Sequence, residues 1–363
     1  MVVPYGVPEH PHPRKMAFDA GEYGIGCLAN DLKLGCDCLG QIHYLVGYIQ
    51  IPAAFVILII IQPGSFIGQD GHAIKVERAI CIHEEDNGLL WKHSDYRQGG
   101  RSHAVRSRRL VISMVCTLAN YGVCPFPLYL HDSLSSLLEY MFYYYFYQDG
   151  SIELEIKLSG ILSVYMLAPD EPNSPFATQV APRISGQYHQ HIFSIRIDPM
   201  IDGLKNSVVE TDVLPLPDPT GSQHNWAGNA FTIEDKVIAV AKEGGRDYDL
   251  LKDRRWSIVN ASRKHYSSGK HPGYALGYKG AVATLLAKSD AWVARRAGFA
   301  KKSLWVVKDV QGAAEPRIWP AGRYVPQTMS PPEESVEKWA TGDESLENED
   351  LVIFSTIGTQ TPL

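Results

Sequence analysis

The sequence predicts a mainly β protein with many strands and turns. It has 31 Gly and 23 Pro in 363 residues, and both residue types interrupt long helices. Apolar and polar residues often alternate, which is the period of a half-buried strand. The clearest alternation lies in residues 151–160. Its apolar positions are Ile152, Leu154, Ile156 and Leu158. They share one face of the predicted strand.

Composition limits the class of protein further. Apolar residues make up 45% of the chain and charged residues 20%, which is typical of a globular protein with a large core. The formal net charge of −6 gives no reason to expect a nucleic-acid partner. Residues 1–13 lack the basic and apolar regions of a signal peptide. The apolar run 51–61 is shorter than the roughly 20 residues of a membrane span. We expect a soluble protein without a membrane partner, in an unassigned compartment.

The N-terminal part carries a candidate base. Residues 15–26 predict a strand and a Gly-rich bend, whose glycines do not form the spacing of a phosphate loop. Asp19 lies there among small and apolar neighbours, which would raise the pKa of its carboxyl group and suit it to accept protons near neutral pH. An aspartate in an exposed turn is the alternative.

Two further groups of residues offer metal-ligand chemistry. Cys36 and Cys38 form a Cys-x-Cys pair, but no second pair stands at zinc-ligand spacing, so buried thiols are the alternative. His189 and His191 lie in a predicted strand, where positions i and i+2 face the same side and can share a metal ion. Two surface histidines, or a metal site of the cupin type, would show the same spacing.

The middle of the chain has an apolar run at 110–115 that predicts a strand. Before it, the basic, Gly-containing segment 97–109 predicts a solvated loop. After it comes Thr117-Leu118-Ala119-Asn120-Tyr121. Together with Phe18-Asp19-Ala20-Gly21-Glu22-Tyr23-Gly24 upstream and the His-x-His pair downstream, this segment resembles the copper-containing primary amine oxidases. The resemblance implies the large antiparallel β-sandwich of that family's catalytic domain.

The resemblance also implies roles for individual residues. Tyr121 would be oxidised in place to topaquinone, which forms a Schiff base with the substrate amine, and Asn120 precedes it in the same motif. Asp19 would be the catalytic base. Tyr5, fourteen residues earlier, would hydrogen-bond the quinone. His189 and His191 would bind copper.

Peripheral features follow from the same resemblance. Asp198 and Asp350 would belong to a second site for calcium or manganese, although Met200 replaces an acidic residue found in some members. Cys38 and Cys81 would form a structural disulfide.

The sequence departs from the family pattern in several places. Residues 46–62 and 122–138 are expected to be insertions, and the second would interrupt the strand just past Tyr121. The family's third copper histidine ends a Gly-x-Thr-His segment, but this sequence reads Gly358-Thr359-Gln360-Thr361. Residues 1–363 would thus be a partial catalytic domain, incomplete at both ends. On this reading, the family's N-terminal α/β domains and the C-terminal segment that helps build its homodimer would be absent, and a homodimer would be doubtful.

The expected activity is oxidative deamination of a primary amine by O2, which gives an aldehyde, ammonia and hydrogen peroxide. The absent third ligand predicts weak or no activity. Two alternatives remain open at this point: an inactive remnant that serves as a β-scaffold, and a cupin-like metal enzyme.

Overall fold

A computed structural model describes residues 36, 42–46, 65–67, 73–75, 78–121, 136–160, 162, 164–278, 284–310, 317–322 and 332–361. About half of the described residues are in strands, which pair in antiparallel sheets, so the prediction of a mainly β fold is confirmed. Eighteen strands are described. They are β1 (Ile42–Val46), β2 (Ser65–Ile67), β3 (Ala73–Lys75), β4 (Ile80–Asp95), β5 (Arg101–Tyr121), β6 (Ser136–Tyr147), β7 (Ile152–Gly160), β8 (Val164–Met166), β9 (Ala177–Ala181), β10 (Ile184–Gln187), β11 (His189–Ile197), β12 (Lys205–Pro215), β13 (Phe231–Val237), β14 (Gly245–Arg246), β15 (Arg255–Val259), β16 (Gly273–Leu276), β17 (Leu304–Lys308) and β18 (Glu349–Thr361).

The helices within the described ranges are short. The α-helices are α1 (Trp292–Arg296) and α2 (Val336–Trp339). Single 3-10 turns cover Tyr96–Gln98, Ala241–Glu243, Leu250–Lys252 and Gly298–Lys301. In the part of the chain that the structure describes, no helix has the length and apolar character needed to cross a bilayer.

The chain forms two compact units. Unit 1 comprises residues 1–19, 173–178 and 187–363, and unit 2 comprises residues 20–172 and 179–186. Unit 2 is built on a five-stranded sheet in the order β1-β4-β5-β6-β7, with a two-stranded sheet of β2 and β3. Residues 164–187 form a three-stranded sheet in the order β8-β10-β9.

Unit 1 is built on an eight-stranded sheet. Its main path is β14-β17-β18-β12-β15-β16, with β11 paired to β18 and β13 paired to β12. Apolar clusters cover both faces of its central strands. Leu304 and Val306 of β17 face one cluster, while Trp305 and Val307 face the other. Burial on both faces explains why residues 304–307 of β17 and 351–354 of β18 are continuous apolar runs that do not alternate with polar residues.

Two predictions about strands meet different outcomes. The alternating segment 151–160 is β7, as predicted. The prediction of a solvated loop over 97–109 is wrong, because β5 begins at Arg101. Its arginines bind acidic side chains on the neighbouring strand: Arg106 binds Asp86, Arg108 binds Glu84 and Arg109 binds Glu85. A basic stretch can occupy a strand when the adjacent strand supplies the opposite charges.

The segment after Tyr121 connects two antiparallel strands. β5 ends at Tyr121, β6 begins at Ser136, and the two residues pair with each other. The expectation that an insertion at 122–138 interrupts a strand is therefore wrong, since the chain turns back at this point. β6 begins within the last residues of that predicted insertion. β1 ends at Val46, the first residue of the other predicted insertion. Apart from these residues, both predicted insertions lie outside the described residues, and their assignment as insertions stays a prediction.

Candidate active site

The two histidines of the His-x-His pair lie at the start of β11 with half-buried side chains. Their ring centroids are 4.7 Å apart and the rings meet edge to face at 74°. Burial first, and the charge of His189 second, lower the pKa of His191 to about 4. His191 is therefore neutral near pH 7, which is the state that binds metal ions.

A backbone contact fixes the tautomer of His189. Its Nδ1 lies 2.8 Å from the carbonyl oxygen of Gln187. A carbonyl oxygen only accepts hydrogen bonds, so Nδ1 must carry the proton and donate it. In the neutral ring, Nε2 then holds the lone pair. Metal-ligating histidines commonly make this second hydrogen bond, which orients the ring toward the ion.

β18, the strand beside β11, carries residues 358–361, which stand where the family has its Gly-x-Thr-His segment. β18 pairs antiparallel with β11, so that His189 stands opposite Thr361 and His191 opposite Thr359. Directly opposed residues share one face of the sheet. Position 361, which the Gly-x-Thr-His pattern assigns to histidine, therefore lies on the face that carries both imidazoles. Threonine occupies it here.

Tyr121 is the last residue of β5, next to an irregularity in the pairing. The register of β5 with β6 shifts between Leu118 and Tyr121, and Asn120 lies within the shifted stretch. Such bulges change the direction of side chains and occur beside active sites. Tyr121 belongs to unit 2 and the histidine pair to unit 1. The side chains of Asn120 and Tyr121 are not among the described features, so their catalytic roles stay predictions.

Other predicted site residues lie outside the described residues. They are Tyr5, Asp19 and Cys38. Cys81 is fully buried, with its sulfur 3.3 Å from Nδ1 of His83. The base, the quinone contact and the Cys38–Cys81 disulfide therefore stay predictions.

A cluster of three carboxylates forms where β11, β17 and β18 end or begin. Asp198, Asp309 and Asp350 each offer one oxygen, and these oxygens lie within 4.8 Å of one another. Asp309 was missed by the sequence reasoning. The pairing of β17 with β18 brings it to this place, and its backbone N–H donates to the carbonyl oxygen of Asp350 over 2.8 Å. Only the strand pairing, which the sequence does not display, could have indicated it.

A guanidinium group already lies at this cluster. Arg196 is bonded to Asp198 over 2.9 Å and lies 3.9 Å from Asp309, and its Nε donates to the carbonyl oxygen of Arg317. Arg196 therefore offsets part of the negative charge that three carboxylates would concentrate.

Comparisons with known proteins agree with this architecture. The model of the copper amine oxidase enzyme domain matches residues 1–361. The chain belongs to the copper amine oxidase family. Among the relatives of this amine oxidase domain, Copper amine oxidase 1 of Schizosaccharomyces pombe is 42% identical over 361 residues, which cover 99% of this chain and 45% of that protein. The peroxisomal primary amine oxidase of Pichia angusta is 40% identical, over 99% of this chain and 46% of that protein.

Solved amine oxidase structures show the same fold. A copper-containing benzylamine oxidase from Hansenula polymorpha superposes with a TM-score of 0.78 at 30% identity, over 99% of this chain and 50% of that chain. The chain thus spans about half the length of the amine oxidases that it matches. The family membership supports amine oxidation and favours neither the cupin-like enzyme nor the inactive remnant.

Proposed function

We propose that the chain takes part in the oxidative deamination of a primary amine: RCH2NH2 + O2 + H2O → RCHO + NH3 + H2O2. The C–N unit loses two electrons, and dioxygen gains them to become peroxide. Family membership over residues 1–361 carries the proposal. It is supported by a histidine pair whose ring orientation leaves Nε2 of His189 available to a metal ion.

The side chains at this site are of a type that binds copper. His189 and His191 would hold it, since imidazole is a ligand that suits copper, and Tyr121 would be the residue oxidised to topaquinone. When bound, copper and the quinone supply the redox chemistry that ordinary side chains lack. Position 361 offers a hydroxyl group where the family pattern has an imidazole. We therefore expect copper to be held less tightly and the activity to be reduced.

The remaining roles belong to side chains of this domain. Asp19 would accept the proton from the carbon next to the substrate nitrogen, a contribution of roughly 10²–10⁴ in rate for a well-placed base. Tyr5 would hold the cofactor ring by a hydrogen bond, and Asn120 would support Tyr121 from the adjacent position.

One experiment tests the proposal directly. The chain is purified with Cu²⁺ under air and treated with phenylhydrazine, and peroxide is measured with benzylamine as the amine. N,N-dimethylbenzylamine, which is not a primary amine, serves as the substrate control, and Tyr121→Phe as the protein control. We expect a quinone absorption that phenylhydrazine shifts, and peroxide from benzylamine alone. A copper-loaded chain without either signal would refute the proposal.

We also propose that Asp198, Asp309 and Asp350 hold calcium or manganese, since carboxylate oxygens are the ligands that both ions prefer. An ion that binds only the folded chain raises its stability. Adding Ca²⁺ should therefore raise the thermal midpoint of the chain but not that of Asp309→Asn. The exposed Asp170→Asn variant is the control. Equal responses from all three proteins would argue against the site.

A further inference from the structure

The β4–β5 hairpin extends beyond the part of unit 2 that forms its core. Its end closes through the 3-10 turn Tyr96–Gln98 and two glycines with left-handed backbone, Gly99 and Gly100, at φ of 69° and 77°. From Trp91 to Asp95 of β4 the pairing with β5 is continuous, without a bulge. His93 and His103 stand directly opposite each other in this stretch, and both are exposed.

The geometry of this pair is set by the backbone. Directly opposed residues of an antiparallel pair project from the same face with their Cβ atoms about 4.5–5.5 Å apart. One step toward the turn, on the other face, Ser94 Oγ and Ser102 Oγ are 2.6 Å apart, so the two strands are closely paired at this level. Because both imidazoles are exposed, their rings can rotate toward a common ion without displacing packed neighbours.

The neighbours on that face are compatible with a cation. Toward the base of the hairpin the face carries Trp91 opposite Val105, and toward the turn it carries Asp95 opposite Arg101. Oδ1 of Asp95 accepts from the backbone N–H of Arg97 at 2.9 Å and forms an ion pair with the Arg97 side chain at 3.3 Å. Neutral imidazole pairs bind divalent ions such as Zn²⁺, Cu²⁺ and Ni²⁺.

We propose that His93 and His103 form a metal site across the β4–β5 hairpin, which binds a divalent ion of the zinc, copper and nickel kind through one nitrogen of each ring. Water completes the coordination. The site is separate in sequence from the His189–His191 pair and does not depend on the proposed oxidase activity.

The test is a Zn²⁺ titration of the full chain with histidine labelled at ¹³Cε1, followed by NMR. Histidine→Asn substitutions at 93 and 103 assign the two resonances. We expect both to shift together and to saturate at one shared Zn²⁺ concentration. Because the second imidazole binds within the same molecule, losing either one should weaken binding at the other roughly tenfold or more.

His224→Asn is the matched control, since His224 is exposed on a loop without an opposing histidine; it should leave the titration at 93 and 103 unchanged. Resonances that shift independently would overturn the proposal. So would a His93→Asn chain in which the His103 resonance responds at the original Zn²⁺ concentration, because the two residues would then be ordinary surface histidines.

Discussion

Position 361 determines how many imidazoles one face of the β11–β18 pair can offer a metal ion. His189 and His191 supply two, and the residue opposite His189 supplies a hydroxyl group. A hydroxyl that keeps its proton is a weak ligand compared with an imidazole nitrogen, which suits copper. The difference between a three-histidine and a two-histidine centre thus rests on one side chain whose backbone place is set by strand pairing.

Replacing Thr361 by His should therefore raise copper affinity at least roughly tenfold. The measurement is copper content per chain after dialysis against a series of chelator concentrations. Gln360→His is the control, because successive strand residues face opposite sides and position 360 stands opposite Gln190, away from the pair. Equal gains from both variants would show that the face of the sheet does not matter, and would contradict the assignment.

At the residue scale, unit 1 also contains a buried network of charged side chains. Glu210 is almost fully buried on β12 and binds Arg246, and it accepts from the indole N–H of Trp256 at 2.9 Å. Burial alone would raise the pKa of Glu210. Hydrogen bonds from Arg246 and Trp256 and the charges of Arg246 and Arg254 outweigh it, so the pKa is lowered.

We expect Glu210→Gln to cost roughly 3 kcal/mol of stability at pH 7, because it leaves two arginines without their shared carboxylate. Since the folded-state pKa is lowered, this stabilisation is present above the ordinary value of 4.5 and is lost as pH falls through the folded-state pKa. Urea unfolding at pH 7 and below pH 4 measures both effects, with the exposed Glu234→Gln as control. A difference between wild type and Glu210→Gln that grows in acid would contradict the network.

At the scale of elements, the sequence predicted a strand where apolar and polar residues alternate and failed where charge pairing takes the place of that pattern. β7 alternates cleanly and was predictable from its period. The first half of β5 is basic, and its place in a sheet depends on Glu84, Glu85 and Asp86 of β4. No local pattern in 97–109 carries that information, because the stabilising partners lie on another strand.

The connection between β5 and β6 should tolerate being shortened. Tyr121 and Ser136 pair on its two sides. Deleting residues 124–133 leaves four connecting residues, and the smaller loop-closure entropy should stabilise the hairpin by about 1 kcal/mol. Hydrogen exchange of the amides of β5 and β6 measures the change. A variant with the same residues replaced by Gly and Ser keeps the length and should lack the gain. Reduced protection in the deletion variant would contradict the prediction.

For the whole molecule, the sequence motifs indicated the family and two candidate histidine ligands. The family assignment is confirmed, and the ligand assignment stays a prediction. The motifs could not indicate Asp309, nor that position 361 shares a face of the sheet with His189 and His191. Both depend on strand pairing between distant segments. Two of the strands that pair with β18, namely β11 and β12, come from segments more than a hundred residues away. Local periodicity carries no information about such contacts.

Two of the departures from the family pattern fall in different units, which makes their consequences separable. Position 361 belongs to unit 1 and residues 122–135 to unit 2. Thr361→His should raise copper content, whereas deletion of 124–133 should raise the quinone formed per bound copper, because it returns the chain beyond Tyr121 toward the family spacing. Phenylhydrazine absorbance and metal analysis of both variants and of their combination measure the two quantities. In the combined variant the gains should multiply, as expected for independent sites. A deletion that alone changes copper content, or a Thr361→His chain whose quinone yield per copper rises, would show that the two positions act on one step.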